Sequence, residues 1–435
     1  MTDQADAERL INALVSKRCG LVTELAPQGR APAEPCPPYL WNATLTHYDY
    51  RNTPLAMRLA GGKGLTETQA KLSALGEALE RYSAVHWDNQ RVRFGPASDT
   101  AILPTDCVLY SDHQYGTSVP YRKWSINEPD YWISGTEFPS NTPVELPAAL
   151  VYQVSPYARV EDHFTAVTSN GLGAGKNLPD AILSGIYEVI ERDAFMITWL
   201  NRLPTTKIKT PQQGCNAAQI IRQYEKFGVS VRLLSLATDQ AATVVMAIAE
   251  NPDDESAFRV IGLGCDLDPV TAVDKAVLEL CQLKPGAASR AHGNDYKTRL
   301  TGYESVRTID DHILFHLMPE HAAEFDFLTQ TNAECDLGDL PRPDCFSTQD
   351  ALVALIESAT KCGSRVAYAD ITAADFAELG PKVVRVIMTG FQPIHFGFAE
   401  GRLGGTRLYE APVTWGLRKM PLSEAELNQC PHPLA

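Results

Sequence analysis

The stretch that decides the reading is Gly61-Gly-Lys63-Gly-Leu-Thr66-Glu-Thr-Gln69-Ala-Lys-Leu72-Ser73-Ala-Leu75-Gly-Glu77-Ala-Leu79-Glu80-Arg81. Thr66 with Gln69 three residues later is a capping box, so a helix is expected to start there and run over 66–85. Ser73, Glu77 and Glu80 fall at i, i+4 and i+7 and share one face of that helix. Leu72, Leu75 and Leu79 form an apolar stripe beside this row, so the acids lie at the edge of a buried surface. A second copy stands about a hundred residues on: Ser169-Asn170-Gly-Leu-Gly-Ala-Gly-Lys-Asn177-Leu-Pro179-Asp180-Ala-Ile182-Leu-Ser184-Gly-Ile186-Tyr-Glu188-Val189-Ile-Glu191-Arg192. Asn177 can cap this helix, with Pro179 in its first turn. Both copies end in A-x-L-S-x-x-x-E-x-x-E-R. A looser third copy has Gly262-Leu-Gly264 followed by Glu279-Leu-Cys-Gln282-Leu-Lys284.

Two carboxylates three residues apart repel each other, and on an exposed helix face this costs a few tenths of a kcal/mol. One such pair reads as a solvated acidic face with Arg81 or Arg192 as partner. Two matched pairs beside glycine segments suit Mg2+ and a polyphosphate, because Mg2+ takes oxygen ligands and bridges carboxylates to substrate phosphates. Lys63, Arg81, Arg192 and Lys284 then offset the remaining phosphate charge. Gly173-Ala-Gly-Lys176 is not a P-loop: Asn170 stands where the first glycine belongs, and Asn177 where Ser or Thr belongs.

Composition narrows the classes further. The 435 residues carry a net charge of −15, which argues against nucleic acid and anionic lipid as partners. No apolar run approaches the length of a membrane span, and the acidic start predicts no secretory signal. The ten cysteines include no C-x-x-C pair, so reduced thiols in a cytoplasmic protein are expected rather than a zinc site or disulfide framework. His312 and His316 could share a helix face, but no H-E-x-x-H accompanies them.

Along the chain, Asp6–Ser16 reads as a helix and 31–38 as a Pro-rich extended connector. Patterning is expected from Leu55 onward, with no linker after it. Strands are expected at Leu146–Val154, Val229–Leu236, Thr243–Ala249, Arg259–Leu263, Arg365–Ala369 and Val383–Met388, with a turn at Asn251-Pro-Asp-Asp. Helices are expected at Leu178–Leu200, Val270–Leu283 and Asp350–Thr360. The class is α/β or α+β, with parallel and antiparallel sheets both open. Residues 1–54 read as an N-terminal helix and connector, and 55–435 as one catalytic domain.

The three motif segments resemble the YcaO-domain family. The Arg402-Leu-Gly-Gly-Thr-Arg-Leu-Tyr-Glu410 segment and the ending Glu426-Leu-Asn-Gln-Cys-Pro431-His-Pro433 are similar to its azoline-forming cyclodehydratase branch, the thiazole/oxazole-forming peptide maturases. The resemblance implies a fold in which carboxylate helices on a β-sheet hold ATP and Mg2+ without a P-loop. It implies ATP-dependent cyclodehydration: a Cys, Ser or Thr side chain of a ribosomal precursor peptide attacks the preceding amide, whose oxygen leaves as phosphate. By position, Ser73, Glu77, Glu80, Ser184, Glu188 and Glu191 would bind Mg2+–ATP, with those four glutamates as metal ligands. Ser169 and Asn170 match the family's nucleotide turn, and Glu279 and Gln282 its third motif. Glu188, Glu191, Gln282 and Pro433 are the residues implied in catalysis.

Two departures stand out. The third motif reads Gln282-Leu-Lys284 where Q-x-R is usual, which loses the bidentate fork of arginine. The usual P-x-P-x-P ending is reduced to Pro431-His-Pro433. Without the resemblance this ending reads as an exposed tail; with it, as a stiff segment threaded into the body beside the site. The resemblance also implies a leader-binding partner (E1-like or RRE-containing), and an FMN-dependent azoline dehydrogenase and a homodimer are compatible with it. A sister reaction such as thioamidation, or a non-enzymatic ATP-binding docking scaffold, uses the same nucleotide residues.

Overall fold

A computed structural model describes residues 4–30, 34–46, 58–154, 157, 159–211, 214–252, 258–292 and 295–434. Leu55, the Asp253-Asp254 half of the expected turn and the start of the Pro-rich connector lie outside them. The elements that position the site are, in chain order, α1 (Gln4–Leu14), β1 (Val22–Pro27), β2 (Tyr39–Leu45), β3 (Leu59–Gly64) and α2 (Glu67–Val85). Next come β4 (Val92–Gly95), β5 (Asp130–Phe138), β6 (Thr142–Pro147), β7 (Leu172–Gly175) and α3 (Leu178–Asn201). Then follow β8 (Thr206–Ile208), α4 (Asn216–Lys226), β9 (Ser230–Leu236), β10 (Thr243–Glu250), β11 (Arg259–Asp266) and α5 (Pro269–Ala291). The last are α6 (Ile309–His316), β12 (Glu334–Cys335), α7 (Thr348–Lys361), β13 (Val366–Asp370), β14 (Lys382–Met388) and α8 (Arg407–Thr414).

The described strands form three sheets, ordered β1-β2-β3, β11-β10-β9-β8-β12 and β4-β5-β13-β14-β7, with β6 paired to β5. Apart from the two-residue parallel pair β12–β8, the ladders joining these strands are antiparallel. The class is therefore mixed helix and sheet, and the open question of strand direction resolves to antiparallel.

The three repeats are three copies of one unit, each a strand followed by a helix lying back on it: β3–α2, β7–α3 and β11–α5. The motif glycines Gly62, Gly173 and Gly264 are strand residues, and their role is close packing. A Cβ on Gly62 would meet the Ala74 backbone nitrogen at 2.1 Å, one on Gly173 the Ala181 oxygen at 2.4 Å, and one on Gly264 the Ala272 oxygen at 2.2 Å. Only glycine lets strand and helix backbones approach that far. Each helix also touches the strand of the following unit: α2 with β7, α3 with β11 and α5 with β3. The three units thus close into a ring with a pseudo-threefold arrangement.

Capping follows the expected chemistry. Thr66 and Gln69 form the capping box of α2, and the Asn177 side chain accepts from Asp180 N–H at the start of α3. Other expectations need correction. Leu146–Val154 is not one strand: β6 ends at Pro147, which has no N–H to continue a ladder, and Ala148–Val151 is a helical turn. Helix α5 does not stop at Leu283 but runs through Pro285 to Ala291, held by the buried Lys284 and Ala287. The segment before residue 55 is more than a connector, since β1 and β2 complete the sheet that carries β3.

Candidate active site

The first acid of each unit accepts an N–H from its own unit's strand or, for Glu188, from the residue just before it. Gly61 N–H donates to Glu77 at 3.1 Å, Gly171 N–H to Glu188 at 3.2 Å and Leu263 N–H to Glu279 at 3.0 Å. The second member reaches toward the next unit. Glu80 accepts from Ala174 N–H of β7 at 2.6 Å. The Gln282 amide of α5 lies 2.2 Å from where a Cβ on Gly61 of β3 would be, so Gly61 makes room for it. Charge on Glu191 is felt at Cys265 of β11. The six side chains Glu77, Glu80, Glu188, Glu191, Glu279 and Gln282 therefore gather where the three units meet.

The electrostatics of this ring are strained in one direction. Burial, and then the charge of Glu188, push Glu80 up to about 8. Burial pushes Glu188 up to about 7 against the opposing pull of Arg192 and Arg385. Burial and Glu279 push Glu191 up to about 7. Crowded, desolvated carboxylates resist ionising, and a bound cation relieves that resistance. Among the described residues no group of three His, Cys, Asp or Glu is arranged to hold a metal alone. Mg2+ is commonly held by one or two carboxylates and completed by substrate phosphate oxygens. The expectation that all four of Glu77, Glu80, Glu188 and Glu191 act alike as metal ligands is narrowed by Glu77. Its other oxygen is taken by Arg81, which donates at 3.0 and 2.6 Å.

The cations differ from one another. Arg192 lies 3.9 Å from Glu188, and its Nε and Nη1 are buried without hydrogen-bond partners. Two orphaned guanidinium donors facing an acid ring are a fit for phosphate oxygens. Lys63 is on the strand face opposite the packing glycines, and its charge acts on Glu191. Lys284 is placed differently from the expectation at the phosphates. Its ammonium pairs with Glu34 at 2.8 Å, the two side chains being 8% and 6% exposed, and Tyr224 OH donates to the same carboxylate. Gln28 of the same N-terminal segment donates to the Gln282 carbonyl. Ser73 and Ser184 are exposed, one turn before the acids.

The Ser169–Asn170 turn is held by a residue the sequence reading missed. Arg385 on β14 is buried and donates to the carbonyls of Asn170 at 2.6 Å, Thr168 at 2.7 Å and Val151 at 3.0 Å. Burial lowers its pKa to about 10, while Glu188 and Glu80 oppose that. The available signal was an arginine inside the apolar run Val383–Met388, because a buried charge must find partners. Arg407 is a second missed anchor. It bridges Asp193, next to Arg192 on α3, and Asp239.

His312 and His316 clamp the final segment. His316 Nε2 donates to Pro431 O at 2.7 Å and His312 Nδ1 to His432 O at 2.7 Å. Gly397 N–H donates to His312 Nε2 at 2.9 Å, which fixes the neutral tautomer of that ring. His432 donates from Nε2 to His395 O, and Trp199 to Cys430 O. The segment is buried through Leu434, as the stiff-tail reading expected. Pro433 lines a small cavity with Leu283, one residue from Gln282, and with Arg259 and His316. Having neither N–H nor titratable group, Pro433 contributes packing there.

Comparison with known proteins places this geometry. Residues 61–392 match the family described as YcaO cyclodehydratase, ATP- and Mg2+-binding. An uncharacterized protein of Methanothermobacter thermautotrophicus is 29% identical over 350 residues, covering 78% of this chain and 82% of its own. A heterocyclase solved in complex with substrate and cofactor superposes with a TM-score of 0.83 at 26% identity, over 100% of this chain and 57% of that one. The heterocyclase TruD gives 0.68 at 25% identity, over 85% of this chain and 52% of its own. The chain thus spans a little over half the length of these two solved heterocyclases. YcaO from Methanopyrus kandleri, bound with AMPPCP and Mg2+, shares the fold at a TM-score of 0.67 and 23% identity, over 89% of this chain and 91% of that one. With three-quarters of its length matched and its acid ring built from the three motif units, the chain belongs to the YcaO family of ATP- and Mg2+-binding cyclodehydratases.

Proposed function

We propose that the chain is an ATP- and Mg2+-dependent cyclodehydratase that converts Cys, Ser or Thr of a ribosomally made precursor peptide into azoline rings. The observation that carries this reading is the ring of mutually repelling acids from three units, with the unpartnered donors of Arg192 beside it.

Mg2+–ATP supplies the phosphoryl group that makes an amide oxygen a leaving group. The chain's residues do the rest. One or two carboxylates drawn from Glu80, Glu188 and Glu191 would hold the cation, and Arg192 and Lys63 would hold phosphate oxygens. Glu77, fixed by Arg81 and Gly61 N–H, keeps α2 in place rather than ligating. Gln282 and the Ser169–Asn170 turn border the nucleotide. In the reaction the thiol or hydroxyl forms a bond to the preceding amide carbon and gives up its proton. The amide oxygen takes the phosphoryl group of ATP, leaving ADP, and departs as phosphate while the amide nitrogen gives up its proton and the C=N bond of the azoline forms. A leader-binding partner is part of this proposal, as is a cytoplasmic setting; no described helix is long and apolar enough to cross a membrane.

The test is co-expression with small peptides encoded beside the gene, read by mass spectrometry. Loss of one water per ring, dependent on Glu191, is the expected result. Exchange of oxygen for sulfur would show thioamidation on the same site. An unchanged peptide with ATP bound but not consumed would favour a docking scaffold.

A further inference from the structure

Next to the Asn170 turn, on the side of β14, lies a cavity of ≈ 60 Å³. Its wall is mostly apolar, with Val108, Ala149, Val386 and Phe391 among the lining residues. Polar side chains interrupt it, Arg402 and Asn170 among them. Arg402 is only 5% exposed; its Nη2 donates to Ala166 O, and its Nε is buried without a hydrogen-bond partner. Asn170 presents a buried Oδ1 that also lacks a partner. Arg402 forms no ion pair with any described carboxylate at this wall.

A buried donor and a buried acceptor that no protein group satisfies are available to a complementary group that enters the cavity. A peptide amide carries one acceptor and one donor. The volume decides between candidates. A water takes about 10–15 Å³ of such space, so the cavity holds about five waters' worth of matter. That is the size of a branched aliphatic side chain and well short of a purine.

We propose that this cavity takes the residue that precedes the cyclised Cys, Ser or Thr. Its small or branched apolar side chain fills the pocket, its carbonyl oxygen meets Arg402 Nε–H, and its N–H meets Asn170. This rests on the proposed peptide chemistry and adds to it a site and a preference. The carbonyl held by Arg402 is the one attacked, so the guanidinium also faces the oxygen as negative charge develops there.

Two probes separate the pocket from the reaction. The first is binding of N-acetyl-valine N-methylamide and its glycine counterpart, followed by saturation-transfer NMR on the full chain. Burial of an isopropyl group predicts roughly a tenfold or larger preference for the valine probe. Ala149→Leu fills the pocket and should erase that preference, whereas Val108→Ala enlarges it and should shift preference toward leucine. The second probe is cyclisation of a precursor carrying Gly-Gly-Xaa-Cys. Ala149→Leu should lower the rate for Xaa = Val at least tenfold relative to Xaa = Gly, with the KM for ATP unchanged. Equal binding of the two amides by wild type, or preferences that neither variant alters, would overturn the pocket. If the amides bind selectively but no precursor is cyclised, the pocket stands and the proposed reaction falls.

Discussion

Lowering the pH from about 7.5 to about 5 should release the final segment before other buried parts of the protein, because four neutral histidines hold it. Burial lowers His312 to about 4, with its bond to His432 O and the charge of Asp311 opposing that. His316 and His395 are lowered to about 3 by burial, and His432 well below its usual value by burial and its histidine neighbours. The native rings bind a proton less readily than the unfolded ones. Their stabilisation is therefore full above about pH 6.5 and is lost as pH falls toward the native values. For His312 the loss at about pH 5 is about 2 kcal/mol, or roughly thirtyfold in the opening equilibrium. The geometry agrees, because protonated His312 would turn a second N–H toward the Gly397 N–H it now accepts from. Hydrogen–deuterium exchange of residues 427–434, corrected for intrinsic rates, measures the opening. Strand β10, buried over Thr243–Ala249, is the internal reference. Protection of the final segment that stays constant relative to β10 across this pH range would refute the clamp.

Lys284→Met should destabilise the fold by about 3–5 kcal/mol in urea titrations, because it strands the buried Glu34 carboxylate; adding Glu34→Gln should recover part of that. A rise in the KM for ATP without loss of stability would instead put Lys284 at the phosphates. Mg2+–nucleotide binding at neutral pH should release protons, since Glu80 is held up at about 8 and Glu188 and Glu191 at about 7, and a cation favours their ionised forms. Affinity should rise with pH through this range; calorimetry in buffers of different ionisation heat reads the release, and no buffer dependence would contradict it. Gly62→Ala should abolish soluble expression, because its Cβ would sit 2.1 Å from the Ala74 backbone. Wild-type yield and stability would show that the unit tolerates a wider strand–helix gap.

The sequence made the helices legible because apolar stripes and capping residues are local signals. The same signals put Glu77 and Glu80, and Glu188 and Glu191, on matching faces. What it hid is how the copies meet. The strands β3 and β7 are absent from the expected strands, since glycine has low strand propensity; their glycines are there for helix contact, which is tertiary. Glu34 sits in a Pro-rich segment with no pattern of its own, so its pairing with Lys284 across 250 residues left no trace. The His312/His316 spacing was visible, but its partner is a backbone segment more than a hundred residues away. Arg385 had a signal in the charge inside an apolar strand, and only the fold shows which carbonyls it serves.

The most direct test of the central claim is a structure of the protein with Mg2+ and AMPPCP. The account predicts Mg2+ at about 2.1 Å from carboxylate oxygens drawn from Glu80, Glu188 and Glu191, with the terminal phosphates against Arg192. Nucleotide bound elsewhere, or bound here with Mg2+ contacting none of the three, would contradict it.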